Sequence, residues 1–350
     1  MKGILHCGIA KYHRANPAAG LRLERIYGAP VLLSGVAPLV LSNSELNTLH
    51  SHYKNVIRQI LKLPENTPES FIFFSAGTLP IIALIHLDIL TLLGMLGRLG
   101  SDNILNRIGC HSLLTLANPE SWFLAARYVT QLYGLCDPLL ALQQPLPKSR
   151  WKSLCRSRVI RHWEVQYRAE TEALESLVFF RANFFSLARP HRILTAAGSP
   201  YEVEKSLTVL RMLSGRYVTD HRARHWMPGS TGACRLCPAP PQGPAPKGDL
   251  AHQLLFCVSL APARTRVLEL WEAHMAPRPH LLPLVSHYTL EASVELHLSF
   301  LLDPTSLPLV ITAAQNHGEV LYGDLLYMSR SWCHSIHNMR MNLLKVFGIL

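Results

Sequence analysis

Residues 79–96 constrain the fold more than any other stretch of this chain. Read as a helix, the stretch places Ala83, Leu87, Leu90 and Gly94 on one face and Ile82, Ile85, Ile89 and Leu92 on another. A helix apolar nearly all round has to be buried, in a protein core or in a bilayer. Pro80, His86 and Asp88 fall within it. An Asp in mid-bilayer costs a few kcal/mol even on lenient scales, so a core helix is expected, with no membrane partner. Covering it takes further helices, and 49% of the 350 residues are hydrophobic, enough for a sizeable core.

Helical periodicity dominates the remainder, and strand signals are few. Leu46, Leu49, Val56, Ile57, Ile60 and Leu61 form a periodic run, with Ser44 as candidate N-cap, Glu45 in the first turn and Pro64 as the stop. Thr67, Pro68 and Glu69 open a second helix with Pro at its first position. Residues 77–80 break it and start the third, which ends near Gly97 and Gly100. Further helices are expected over 121–133, 202–213 with Gly215 as C-cap, 260–275 with Arg264 and Arg266 exposed, and about 323–346. The Pro-rich segment 138–147 reads as an extended connector, and 148–185 as one or two long helices. The segment 239–247 holds too much Pro and Gly for regular structure. The fold class is mainly α.

Lys and Arg number 34 against 23 Asp and Glu, a formal charge of +11. That balance favours an acidic partner such as nucleic acid or an anionic membrane surface, although a merely basic globular protein has the same balance. Charge concentrates at Lys148, Arg150, Lys152, Arg156, Arg158, Arg161 and Arg168, with Trp151, Trp163 and Tyr167 interleaved. Cations among aromatics suit phosphate contact with base stacking. The competing reading is a solvated basic face over aromatics that pack inward.

Five of the eight cysteines, Cys7, Cys110, Cys136, Cys155 and Cys333, are scattered. They read as free thiols in a reducing compartment, and 1–11 has too little apolar length for a signal peptide. An intracellular location, nuclear or cytoplasmic, is expected. Cys234, Cys237 and Cys257 fall within 24 residues. Cys234 and Cys237 put two thiolates on a short turn. His252 and Cys257 follow about one turn apart on a helix that Asp249 could cap. These four ligands suit one zinc ion. They leave no open position for a catalytic water, so the ion is structural and its binding would fold the local segment. No glycine-rich phosphate loop and no nucleophile–base pair is present, so no catalytic centre is expected. His50 with His52, and His334 with His337, read as surface or interface residues.

The run Arg211-Met-Leu-Ser-Gly-Arg-Tyr217, then Trp226, the Cys pair and Gly248-Asp-Leu-Ala-His-Gln-Leu-Leu-Phe-Cys257, resembles a known pattern. It is similar to the C-terminal region of non-LTR retrotransposon reverse transcriptases, downstream of the polymerase palm. Leu41-Ser-Asn-Ser-Glu-Leu-Asn-Thr-Leu-His50, Leu61-Lys-Leu-Pro64 with Thr67-Pro68, and Ala76-Gly-Thr-Leu-Pro80 resemble the helical thumb of that family. Ala196-Ala-Gly-Ser-Pro200, Leu301-Leu-Asp-Pro-Thr-Ser-Leu-Pro308 and Tyr327-Met-Ser-Arg-Ser-Trp332 with His337 are similar too, so the resemblance runs from about residue 20. It implies a helical thumb-like bundle over 1–137 and a Pro-rich linker with a basic helical connector over 138–215. A small CCHC zinc-binding module over 216–275 and a C-terminal helical cap over 276–350 would follow.

The family pattern has a wider gap in the first Cys pair, a shorter loop before the His and commonly a Pro after the last Cys, where this chain has Val258. Its polymerase holds two metal ions on clustered carboxylates in a Tyr-x-Asp-Asp motif. The seven Asp residues here are each isolated in sequence. The family's endonuclease domain has no counterpart either. The implied function is therefore a non-catalytic fragment that binds RNA or an RNA–DNA hybrid and holds a structural zinc. Its phosphate contacts would come from Lys148, Arg150, Lys152, Arg156, Arg158, Arg161, Arg216, Arg222 and Arg224. Two alternatives stay open. One is the C-terminal part of an active RNA-directed DNA polymerase. The other is a protein-interaction scaffold that self-associates through apolar helices left uncovered by the missing palm.

Overall fold

A computed structural model describes residues 16–115, 121–196, 198–225, 227–238 and 245–349. Cys7, Ala197, Trp226 and most of the Pro/Gly segment, 239–244, lie outside those residues. Among the described residues there are seventeen α-helices and no strand, so the fold is mainly α as expected. The eleven helices of eight or more residues are numbered here. They are α1 (Asn43–Ile60), α2 (Glu69–Ala76), α3 (Ile81–Gly97), α4 (Ile104–Thr115), α5 (Trp122–Leu132) and α6 (Lys148–Ala173). Then come α7 (Pro200–Leu213), α8 (Ala261–Met275), α9 (Val294–Leu302), α10 (Pro308–His317) and α11 (Glu319–Val346).

Local chemistry sets several helix ends. Ser42, not Ser44, caps α1: its Oγ accepts from the Glu45 N–H at 3.3 Å, and Glu45 accepts from the Ser42 N–H at 2.8 Å. This reciprocal box needs an acid three residues after the cap, which only Ser42 has. Helix α2 ends at Gly77, whose φ is 59°. A Cβ there would lie 1.9 Å from the Arg189 carbonyl carbon, so the position admits only glycine. The chain then bends by 61° into α3. The segment expected to be an extended connector contains a helix, Pro138–Gln143. Pro138 sits in its first turn, where its missing N–H costs nothing, and Asp137 caps it by accepting from the Leu139 N–H at 2.8 Å.

Helix α3 is the axis of the first half. Its Ile81, Ala83, Ile85, Ile89, Leu90 and Leu93 are buried, and α1, α5 and α6 pack on it. No single helix among the described residues is long and apolar enough to cross a membrane, and α2 with α3 reaches that length only across the bend. The polar His86 is accommodated by a relay. Trp163 Nε1 donates to the Tyr133 hydroxyl at 3.1 Å, and that hydroxyl donates to His86 Nδ1 at 2.7 Å. Burial pushes the His86 imidazole down to about 4, so it stays neutral and can accept. The relay ties α3 to the end of α5 and to α6.

Helix α6 is one helix of 26 residues, and its Trp151, Cys155, Val159, Trp163 and Tyr167 form a buried stripe. Trp151 Nε1 donates to the Leu90 carbonyl at 2.7 Å, and a Cβ on Gly94 would lie 2.3 Å from that indole. Close approach of α3 and α6 is thus the use of Gly94. Helix α11 is the axis of the second half, with α7, α8, α9 and α10 packed on it. One hydrophobic core runs through both halves. The packing groups α6 with α2 and α3, and α8 with α11.

Tyr133→Phe removes the centre of the relay and leaves the Trp163 N–H and His86 Nδ1 buried without partners. The expected loss is about 1–3 kcal/mol, read as a lower urea midpoint with unchanged slope. An unchanged midpoint would remove the relay from the account of stability.

Candidate metal centre

The chain leaves α7 through Gly215, whose φ is 63° and where a Cβ would lie 1.8 Å from the Ser176 carbonyl oxygen. This brings the segment that follows α6 against the start of the centre. Thr219 then caps a short helix, Asp220–Ala223, by accepting from the Arg222 N–H at 3.2 Å. The Asp220 carboxylate is 1% exposed. It accepts from Arg235 Nε at 2.8 Å, from the Arg235 N–H at 3.3 Å and from Arg340 Nη2 at 3.1 Å.

Two strips of backbone hold the ligands. An antiparallel bridge pairs Ala233 with Lys247, the Cys234 N–H donates to the Pro246 carbonyl at 2.8 Å and the Gly248 N–H to that of Gly232 at 2.9 Å. A Cβ on Gly248 would lie 2.7 Å from Asp220 Cβ and 3.1 Å from the Cys234 backbone, so glycine permits this approach. On the other strip Asp249 accepts from the His252 N–H at 2.9 Å, the capping role expected of it. Between His252 and Cys257 the turn is a π-turn, His252–Phe256, where an α-helical turn was expected. The Cys257 N–H closes it on the His252 carbonyl at 2.7 Å.

Cys234, Cys237, His252 and Cys257 converge, with ligand atoms all within 4.8 Å of one another. Cys237 Sγ lies 3.3 Å from His252 Nε2 and 3.6 Å from Cys257 Sγ, and Cys234 Sγ lies 3.8 Å from Cys257 Sγ. Sulfurs on one tetrahedral ion with bonds near 2.3 Å stand about 3.8 Å apart, so the cluster could hold a metal ion. The hydrogen bond from Cys257 holds the Cys234 thiol below the usual thiol range, and the same contact raises Cys257. Three thiols this close ionise together only around a cation.

The surrounding shell is hydrogen-bonded. Ser259 Oγ donates to the Leu236 carbonyl at 2.6 Å, and Trp332 Nε1 on α11 donates to that of Leu254 at 3.3 Å. Arg264 was expected to be exposed, but it folds over the centre and donates to the Cys257 carbonyl at 2.7 Å. Burial lowers its guanidinium and the neighbouring Cys257 and Cys237 raise it, placing a cation beside the thiols. Arg266 is exposed.

The expected phosphate-contacting residues divide into two places. Lys148, Arg150, Lys152, Arg156, Arg158 and Arg161 are all exposed along α6. The interleaved Trp151, Trp163 and Tyr167 are buried, which corrects the stacking half of that expectation: helical spacing turned the aromatics to the core. Arg224 is exposed, whereas Arg216 and Arg222 are half-buried near the centre. Burial and the nearby Arg216 charge push the Arg222 guanidinium below its ordinary value. Asp220, Arg235, Arg264 and Arg340 are the supporting residues that sequence reasoning missed. Only Asp220 carries a local signal, its place after Thr219 in a first turn, and that signal speaks of capping, not of pairing.

Fold and site together describe a mainly α protein with a closed cluster of three cysteines and one histidine. No known protein family, curated protein or solved structure matches the chain.

Asp220→Asn removes the charge that two guanidinium groups share. The expected destabilisation is about 3–5 kcal/mol, with faster loss of bound metal to a chelator. Wild-type melting and metal release in this variant would show that the cluster does not depend on Asp220.

Proposed function

We propose that this chain binds RNA or an RNA–DNA hybrid without catalysis and holds one structural zinc ion. The observation that carries the reading is the unpaired charge on α6. Its six exposed cations, Lys148 to Arg161 as named above, take part in no ion pair among the described residues. At about 100° per residue, Arg161 points away from the buried stripe, while Arg150 and Arg158 flank it on one side and Lys152 and Arg156 on the other. Cations left unpaired along a rigid helix suit a phosphate backbone, which releases counter-ions on binding. Arg presents a planar fork to phosphate oxygens, and four of the six are Arg.

Zinc is the ion that three thiolates and one imidazole in a tetrahedral set favour. Four protein ligands leave no position for substrate, so the ion would brace the fold. It would close a Pro/Gly-rich loop that has little apolar surface of its own to bury.

Kinship with the C-terminal region of non-LTR retrotransposon reverse transcriptases belongs to the same proposal. Its support is that several of the stretches carrying the resemblance pack on one another. The Tyr217 hydroxyl is hydrogen-bonded to His337 Nδ1 at 2.8 Å, and burial pushes that imidazole down to about 4. Ser329 Oγ donates to the Leu301 carbonyl at 2.7 Å, and Trp332 reaches the turn before Cys257. A second reading, self-association, is favoured by Ile104, Leu105, Ile108 and Leu114, which leave α4 with exposed apolar side chains. A monomer by light scattering at high concentration would dismiss it.

Two measurements test the main reading. Metal analysis should find one zinc per chain, lost in Cys234→Ser/Cys237→Ser; a well-folded wild type without zinc rejects the centre. Fluorescence anisotropy with single-stranded RNA should show affinity falling with salt. Arg150→Ala/Arg158→Ala/Arg161→Ala should flatten the log–log slope by about 2, roughly 0.7 per phosphate contact. Binding that ignores salt, or a slope unchanged in the triple variant, rejects the basic surface.

A further inference from the structure

A cleft of about 180 Å³ lies between the N-terminal segment, the α2–α3 turn and α6, and shares no residue with the metal cluster. Its walls are largely apolar, formed by Pro30, Leu33, Leu79, Leu84 and Leu187. Glu24, Tyr53 and Thr78 also line it and are buried, whereas Arg25 and Arg156 are exposed. A mostly apolar concavity with a few convergent polar groups is the usual form of a small-ligand site.

The carboxyl group of Glu24 is the unusual element. The residue is 1% exposed. Its Oε2 accepts from the Tyr53 hydroxyl at 3.2 Å, and Tyr53 Oη lies 3.5 Å from Thr78 Oγ1. Its Oε1 is buried and has no hydrogen-bond partner. Leaving such an oxygen unpaired costs about 1–3 kcal/mol, more if it is charged. Arg25 acts on it by charge alone and gives it no hydrogen bond, its Nη2 donating instead to the Gly77 carbonyl at 3.0 Å. Glu24 also opens a π-turn, Glu24–Gly28, an irregularity that recurs at functional sites. Burial raises the carboxyl to about 7, so a donor that favours its ionised form would draw it fully into charge near neutral pH.

We propose that this cleft takes one nucleotide unit, with an amino-bearing base donating to Glu24 Oε1, its ring between the apolar walls and its phosphate on Arg156. Adenine, guanine and cytosine carry an exocyclic amino group for this contact, whereas uracil offers only its ring N3–H, flanked by two carbonyls that repel the carboxylate. The cleft is small for a ligand site, which suits one ring system and leaves the phosphate outside at the basic surface. The unit comes either as a free nucleotide or as a base turned out of a bound strand. The second source rests on the nucleic-acid reading of α6; the first does not.

Calorimetric titration of the full chain with AMP, GMP, CMP, UMP and inorganic phosphate tests the site. At least one amino-bearing nucleotide should bind at a single site tenfold or more tighter than UMP and phosphate. Glu24→Met, which removes the acceptor at similar volume, should cost tenfold or more. Arg156→Ala changes an exposed side chain and should weaken the nucleotide tenfold while leaving the nucleoside unchanged; it reports on the cleft even if Glu24→Met does not fold. No binding by any nucleotide overturns the proposal, as does binding without preference over UMP, or equal binding of inorganic phosphate. A single-stranded RNA that displaces the mononucleotide assigns the strand as source, and one that does not assigns the free nucleotide. Salt-dependent RNA binding without mononucleotide binding removes the cleft and leaves the α6 reading; the reverse pattern removes the α6 reading alone.

Discussion

Asp220 joins two arginines that come from distant parts of the chain. Arg235 sits between the first two cysteines of the cluster, and Arg340 sits on α11. A carboxylate that is 1% exposed is tolerable only when its charge is met and its lone pairs are filled. Both conditions hold only if the Cys234–Cys237 turn lies against α11 in one orientation. The glycine at 248 follows from the same contact, since a side chain there would strike Asp220 and the Cys234 backbone. Placement of the four side chains is therefore a property of the second half of the fold as a whole, in a geometry that could hold a metal ion.

The first half is organised around a different problem, which is how to bury a helix with polar residues in it. Helix α3 carries His86 within an apolar core. The core supplies a chain of donors, from Trp163 through Tyr133 to the neutral imidazole. That relay also sets the rotation of α6, because Trp163 belongs to the stripe that α6 buries. Once the stripe faces inward, Arg161 is turned to the opposite face, and the cations on either flank of the stripe are left exposed beside it. The exposed charge is thus a consequence of packing, and the helix that carries it is held rigid from beneath.

The two candidate functions are divided between these halves. The cluster of Cys234, Cys237, His252 and Cys257 is closed and braced, while the cations of α6 are open and unpaired. The segment just beyond α6 and the one that leads toward the cluster cross where Gly215 passes Ser176, an approach that only glycine permits.

Much of this was legible in the residues. Apolar periodicity announced the helices, because burial of one face is a local, repeating property. The spacing of Cys234, Cys237, His252 and Cys257 announced the cluster, because metal ligands within a short segment are a local property as well. The expected cap at Ser44 moved to Ser42, since the reciprocal bond from Glu45 outweighs the hydroxyl alone. The extended reading of 138–147 failed because Pro in a first turn supports a helix as readily as it breaks one. What remained hidden was every interaction between distant residues. Asp220 with Arg340 spans 120 positions, and Tyr53 with Glu24 spans 29. Neither pair leaves a periodic trace. By itself, then, the sequence determined a helical chain with a local cluster of soft ligands and a basic segment. Which way α6 turned, what braced the cluster and where an unpaired carboxyl came to rest were decided by tertiary packing, because each depends on which helix faces meet.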